Sequence, residues 1–164
     1  MADVLTIREI GADEFDLLWP IFHEVVAAGE TYSYAPDMTF EQARQLWTSD
    51  GARCFVALLD RACVGGYMLH ANQPGLGNHV ANCGYMVTPA ARGRGVAGAM
   101  CEHSLAQARE AGFRAMQFNF VVSTNDGAVR LWQKHGFAII GRIPDAFRHA
   151  RLGLVDVFVM HRRL

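Results

Sequence analysis

The segment Tyr85-Met86-Val87-Thr88-Pro89-Ala90-Ala91-Arg92-Gly93-Arg94-Gly95-Val96-Ala97-Gly98 constrains the fold more than any other part of the chain. An apolar strand runs into a loop in which glycines alternate with Arg92 and Arg94. The loop opens a helix whose apolar face is marked by Ala97, Cys101, Leu105 and Ala108 and which ends at Gly112. Met116, Phe118, Phe120 and Val122 then alternate as a further strand, so the whole is a strand–helix–strand crossover. Such a loop turns several backbone N–H groups toward one point, adds the positive end of a helix and flanks it with guanidinium charge. The expected occupant is an anion, a phosphate or pyrophosphate; the plainer reading is a glycine-rich turn with surface arginines.

The rest of the chain supplies the sheet that the crossover needs. Thr6–Ile10 reads as a short strand, and Phe15, Leu18, Trp19, Phe22 and Val26 recur at helical spacing over residues 13–29, with Pro20 expected to strain that helix. A polar loop from Glu30 to Asp37 carries Tyr32 and Tyr34, and Thr39 with Gln42 predicts the start of a second helix running to about Ser49. Cys54–Leu59 and Cys63–Asn72 form a hairpin around Asp60-Arg61-Ala62, and Val80–Val87 is the fourth strand. A short helix from Asp126 to His135 is stopped by Gly136, and Phe137–Ile143 with Gly153–His161 are two closing strands. Hairpins mixed with one crossover predict a mixed sheet and an α+β or α/β class. With no internal repeat and no linker-like stretch, residues 1–164 read as a single domain.

Composition narrows the function classes. A chain that is 51% hydrophobic, with ten Phe and three Trp, has the material for a packed core. Its longest apolar runs, such as Phe55–Leu59 and Val157–Met160, fall well short of a membrane span, and the first twenty residues are acidic, so a soluble cytoplasmic protein is expected. The four cysteines, Cys54, Cys63, Cys83 and Cys101, have no C-x-x-C spacing, which indicates neither a disulfide framework nor a metal site. A net charge of −1 and the lack of a basic helix disfavour nucleic acid. Charge is nevertheless uneven: residues 1–60 hold 11 acids and 3 bases, and the remainder hold 5 acids and 12 bases. Either two regions face ligands of opposite charge, or these are solvated helix faces of opposite sign.

Gly93–Gly98 also satisfies G-x-G-x-x-G, the dinucleotide fingerprint. In a dinucleotide fold that motif follows the first strand and an acid closes the second, whereas here three strands come before the one that leads into it, and the strand after it ends in Phe120-Val121-Val122-Ser123 with no carboxylate until Asp126. Arg92-Gly93-Arg94-Gly95-Val96-Ala97 instead resembles the acetyl-CoA loop of the GCN5-related N-acetyltransferases. Asn125, Ala128, Leu131, Gly136 and Phe137 resemble that family's N-x-x-A-x-x-L-Y-x-x-x-G-F segment, and Asp156–Met160 its closing strand. Within the family, Asn82-Cys83-Gly84-Tyr85, Asn119-Phe120-Val121, Asn125 and Ile140–Pro144 look most like a branch that includes fungal acetyltransferases of proline analogues such as azetidine-2-carboxylate.

The resemblance implies a sheet of about seven strands flanked by about four helices, with the fourth and fifth strands splayed apart. It implies transfer of acetyl from acetyl-CoA to a small-molecule amine, such as an amino acid or toxic amine, by a homodimer. Met86, Val87, Arg92, Gly93, Arg94, Gly95, Val96, Ala97, Gly98, Asn125 and Trp132 would hold the cosubstrate. Val87 N–H would also polarise the thioester carbonyl. Asn82 and Asn119 would act at the acceptor, together with Glu30, Tyr32 and Tyr34 of the Glu30–Asp37 loop and the segment Phe147–Arg151; the plainer reading makes both asparagines structural. Many relatives have Glu where Asn82 stands and Tyr where Trp132 stands. Asn cannot accept a proton at neutral pH and indole is no practical acid, so Glu30, Asp37, Glu41, His70 or His79 are left as candidate bases and Tyr32, Tyr34 or Tyr85 as candidate acids. A cofactor-binding module without turnover is the competing reading.

Overall fold

The computed structural model describes residues 4–164. Seven strands form one sheet: β1 (Leu5–Ile10), β2 (Arg53–Leu59), β3 (Ala62–Ala71), β4 (Val80–Val87), β5 (Ala115–Val122), β6 (Ala138–His149) and β7 (Gly153–Arg163), in the spatial order β1-β2-β3-β4-β5-β7-β6. Every neighbouring pair is antiparallel except β4–β5. The helices are α1 (Trp19–Ala28), α2 (Phe40–Thr48), α3 (Val96–Glu110) and α4 (Asp126–Lys134). None is long and apolar enough to cross a membrane.

Alternation along the central strands decides which helix covers which face. Cys54 and Val56 of β2, Met68 of β3 and Met86 of β4 are buried with Phe22, Val26, Ala43 and Trp47 of α1 and α2. Phe55, Tyr67, Leu69 and Cys83, one residue out of step, are buried on the other face with Met100, Cys101, Leu105 and Ala108 of α3 and Trp132 of α4. The result is a helical layer on each side of the sheet.

Local signals account for most element ends. Thr39 and Gln42 form a capping box on α2, Thr39 Oγ1 accepting from Gln42 N and Gln42 Oε1 accepting from Thr39 N. Asp60 and Arg61 both have positive φ, the two-residue turn whose twist suits a hairpin. Three expectations need correction. The helix pattern over residues 13–29 is two pieces, a 3-10 turn (Ala12–Leu17) followed by α1. Pro20 therefore sits in the first turn of α1, where its missing N–H forfeits no intrahelical bond. Alternation in β5 breaks after Phe118: a bulge between Phe118 and Val121 buries Val121 and leaves Phe120 exposed. Finally, β6 continues six residues past Ile143, through an irregularity between Ile143 and Phe147 in its pairing with β7.

Candidate functional site

The parallel pair β4–β5 is the origin of the site. Its ladder holds at Val80 with Ala115 and at Ala81 with Met116, and beyond that β5 follows β7 and leaves β4 with an open edge. Asn82 stands at the apex of this gap, its Nδ2 donating to the Gln117 carbonyl at 2.9 Å and its Oδ1 facing His70 Nε2 at 3.1 Å. Its amide thus ties β3, β4 and β5 together.

Peptide direction follows from two bonds at the ends of β4. Val80 O accepts from Asn72 N, and Thr88 N donates to Val64 O, so even-numbered residues of β4 face β3. By alternation Cys83, Tyr85 and Val87 turn their peptide groups toward the gap. One of these groups is already engaged, since Tyr32 donates its phenol O–H to the Tyr85 carbonyl at 2.8 Å. Gly84 makes room for this: a Cβ there would stand 3.0 Å from the Tyr32 hydroxyl oxygen.

The gap opens into a cleft of about 830 Å³. At one end lies the glycine–arginine loop. Arg92 N and Arg94 N are spent on the Pro89 and Ala91 carbonyls within the turn, and Ala99 N bonds Gly95 O. Among the described residues, Gly93, Gly95, Val96, Ala97 and Gly98 have no backbone acceptor for their N–H groups. Gly93 and Gly95 have φ of +75° and +78°, and a Cβ at either would meet nothing within 4 Å, so the space above them is open. No acidic residue occupies the first turn of α3. These are the properties of an anion cradle, and they fit a pyrophosphate.

The walls between the two ends are apolar. Trp132 packs against Tyr85 and Phe118, with ring centroids 4.8 and 5.1 Å apart, and is 8% exposed. Asn125 caps α4, its Oδ1 accepting from Ala128 N at 3.4 Å, which leaves its Nδ2 to the cleft.

At the far end, the loop after α1 meets the β6–β7 turn. Ala150 N bonds Gly29 O at 2.9 Å, and Arg151 pairs with Glu30 at 2.8 Å. Tyr32 and Tyr34 stand between, and burial pushes both phenols above the ordinary tyrosine range, as it does that of Tyr85. All three are therefore neutral hydroxyls at physiological pH. The proton of Tyr85 is committed, because Ser104 donates to Cys101 O and so accepts from Tyr85 at 2.6 Å. Tyr34 accepts from Trp47 Nε1 at 3.3 Å and keeps its own proton to give.

The cleft brings together Glu30, Tyr32, Tyr34, Asn82, Met86, Val87, Arg92, Gly93, Gly95, Val96, Ala97, Gly98, Asn119, Asn125 and Trp132, but Arg94 does not line it. Of the candidate bases only Glu30 does; Asp37, Glu41, His70 and His79 do not. Glu41 is paired with Arg44 on α2. Asn119 is exposed, donating to Asn72 at 2.6 Å and accepting from Gln117 at 2.9 Å. His149 and Arg151, from the Phe147–Arg151 segment expected at the acceptor, also line the cleft; the burial of His149 was hidden in the sequence because β6 continues past the last apolar residue of its pattern.

Comparison with known proteins agrees with this geometry. The model of the acetyltransferase (GNAT) family matches residues 13–137. A GCN5-related N-acetyltransferase from Kribbella flavida is 46% identical, with a TM-score of 0.92 over 98% of both chains. A phosphinothricin acetyltransferase from Sinorhizobium meliloti, solved with acetyl-CoA, shares the fold at 23% identity and a TM-score of 0.83, over 98% of this chain and 88% of that one. The N-acetyltransferase aca1 of Schizosaccharomyces pombe is 33% identical over 97 residues, 58% of this chain, which spans less than half (46%) of that protein's length. With the loop, the open strand edge and the splayed pair in place, the chain belongs to the acetyltransferase (GNAT) family, whose cosubstrate is acetyl-CoA.

Proposed function

We propose that this chain acetylates the amine of a small molecule, an amino acid or a toxic amine, within the cleft between β4 and β5. The observation that carries the reading is the shape of that cleft. An anion cradle at Gly93–Gly98 and an open β4 edge lie at one end, and a loop-lined chamber rimmed by the exposed Glu30–Arg151 pair lies at the other. A chamber bounded by that pair suits a compact acceptor better than a protein tail.

Bound acetyl-CoA supplies an activated thioester. The free N–H groups of the loop would hold its pyrophosphate, and Val87 N–H, on the open edge, is placed to donate to a carbonyl oxygen that gains charge during attack. Trp132 walls the thiol region, and Asn125 Nδ2 offers a donor beside it. An amine with the pKa of lysine is neutral in about one molecule in two or three thousand at pH 7, so the site must help it lose a proton. Asn82 cannot take that proton, and its amide is occupied on both sides. Glu30 is the one carboxylate lining the cleft among the described residues, and it serves this reading as the group that attracts the ammonium. The acceptor then reaches the thioester as the free amine, with its proton passed to water. A thiol of ordinary pKa near 8.5 is a tolerable leaving group without a dedicated acid.

The test is the release of free thiol from acetyl-CoA with a panel of small amines and amino acids, including four- and five-membered-ring imino acids. Release well above hydrolysis with at least one small amine is expected. Release only with a peptide, or with nothing, would contradict the reading.

A further inference from the structure

His149 is 5% exposed and lines the acceptor end of the cleft. Its Nδ1 lies 3.1 Å from Arg151 N and 3.2 Å from Leu152 N, both backbone donors. Nδ1 can only accept from them, so the neutral ring carries its proton on Nε2. Among the described residues no group bonds that Nε2, yet no buried side-chain nitrogen or oxygen among them lacks a partner. Nε2 therefore reaches accessible space, and the accessible space beside this residue is the cleft. The ring is held edge-on to Phe147, with centroids 6.3 Å apart, and its tautomer is fixed by the turn it closes.

The balance of polar groups at this end says what His149 would meet. Glu30 is the one carboxylate lining the cleft among the described residues, and Arg151 shares it. Tyr34 has its O–H to give, and Arg151 donates to Glu30 through Nε alone, so both have donors to spare. Against the one carboxylate these side chains set three sources of donors, His149 Nε2–H, Tyr34 O–H and the remaining N–H groups of Arg151, so the chamber suits a ligand that brings oxygens of its own as well as an amine. A charged acceptor strengthens such a bond, which favours carboxylate over a neutral carbonyl.

We propose that His149 is a specificity-determining residue whose Nε2–H donates to the carboxylate of the acceptor, restricting the enzyme to amines that carry one. The inference rests on the small-amine reading above and names the class within it: amino or imino acids. Because Nδ1 is held by two peptide N–H groups, His149 reads the acceptor and does not deprotonate it.

The experiment compares amino acids with their carboxamides and their decarboxylated amines as acceptors. The parent enzyme is expected to favour the amino acid over the decarboxylated amine by at least about tenfold in kcat/KM. In His149→Phe that ratio should fall at least about tenfold, through a higher KM for the amino acid. His149→Gln, which offers an oxygen to the two peptide donors and an N–H to the ligand, should recover part of it. Independently of any variant, the nitrogen chemical shifts of His149 in the parent should report the Nε2–H tautomer. An unchanged ratio in folded His149→Phe, a parent with no preference for the acid, or an Nδ1–H tautomer would each overturn the proposal while leaving acetyl transfer to small amines standing. Acetyl-CoA binding with no turnover of any amine would overturn both.

Discussion

The phenol of Tyr32 caps the main-chain carbonyl of Tyr85 at 2.8 Å, so a loop after the first helix completes a strand edge that the fifth strand has left open. The same contact connects the acceptor end of the cleft to the edge offered to the cosubstrate. Tyr32→Phe removes the donor and keeps the ring, and the expected loss is about 0.5–1.5 kcal/mol of stability. Urea denaturation measures it, and an unchanged midpoint would show that water or ligand already replaces the phenol.

Asn82 and Asn119 were read alike from sequence, and the structure separates them. Asn82 bridges three strands from a half-buried position, whereas Asn119 is exposed and bonds only the side chains of Asn72 and Gln117. Asn82→Ala should cost ~1–3 kcal/mol, by leaving the Gln117 carbonyl without its partner. Asn119→Ala should fall within about 0.5 kcal/mol of the parent. Equal stabilities, compared by denaturant midpoints at one slope, would contradict the bridging role.

Gly95 has a left-handed backbone and open space above it, so Gly95→Asp strains the loop without striking the protein. It does place a carboxylate where a pyrophosphate must come. We expect acetyl-CoA affinity to fall more than about tenfold, or 1.4 kcal/mol, in a folded variant. Calorimetry giving an affinity within about twofold of the parent would remove the loop from the site.

Trp132→Phe should retain turnover to within about tenfold, because the position packs between Tyr85 and Phe118 and supplies a wall, not a proton. A hundredfold loss in a folded variant would mean that the indole N–H has a chemical role.

Burial also sets a pH dependence. The thiols of Cys54, Cys83 and Cys101 are pushed up to about 12 by desolvation. Below about pH 8.5 both folded and unfolded chains keep these protons. Between there and pH 12 the unfolded chain loses them while the folded chain holds them, so stability falls as pH rises, with a slope of up to about 1.4 kcal/mol per pH unit for each thiol. The urea midpoint should drop from pH 8 to pH 10. A flat profile would show that these cysteines ionise as readily folded as unfolded.

Much of this was legible before any coordinates. Thr39 with Gln42, Gly29 and the Asp60-Arg61 turn each carry a local backbone requirement, and the elements end where those residues stand. The loop at Gly93–Gly98 was legible for the same reason, since positive φ and open space are conditions that glycine alone meets comfortably. Three features were not legible because they depend on partners distant in sequence. Pro20 marks a helix start only because the 3-10 turn before it packs Phe15 into the core. The β5 bulge arises from pairing with β7, which no period-two pattern reports. Burial of His149 depends on a turn meeting the loop after Gly29, some 120 residues earlier, through the Ala150–Gly29 bond.

The central claim is that the open edge of β4 and the loop before α3 together receive acetyl-CoA, and amide hydrogen exchange tests it bond by bond. Val87, Gly93, Gly95, Val96, Ala97 and Gly98 have N–H groups that face the gap or lack a backbone acceptor, so they should exchange readily in the free protein. On saturation with acetyl-CoA their exchange should slow at least about tenfold, while Asn82, Gly84 and Met86, whose N–H groups face β3, change little. Slowing confined to amides elsewhere, with Val87 and the Gly93–Gly98 loop unaffected, would contradict the account.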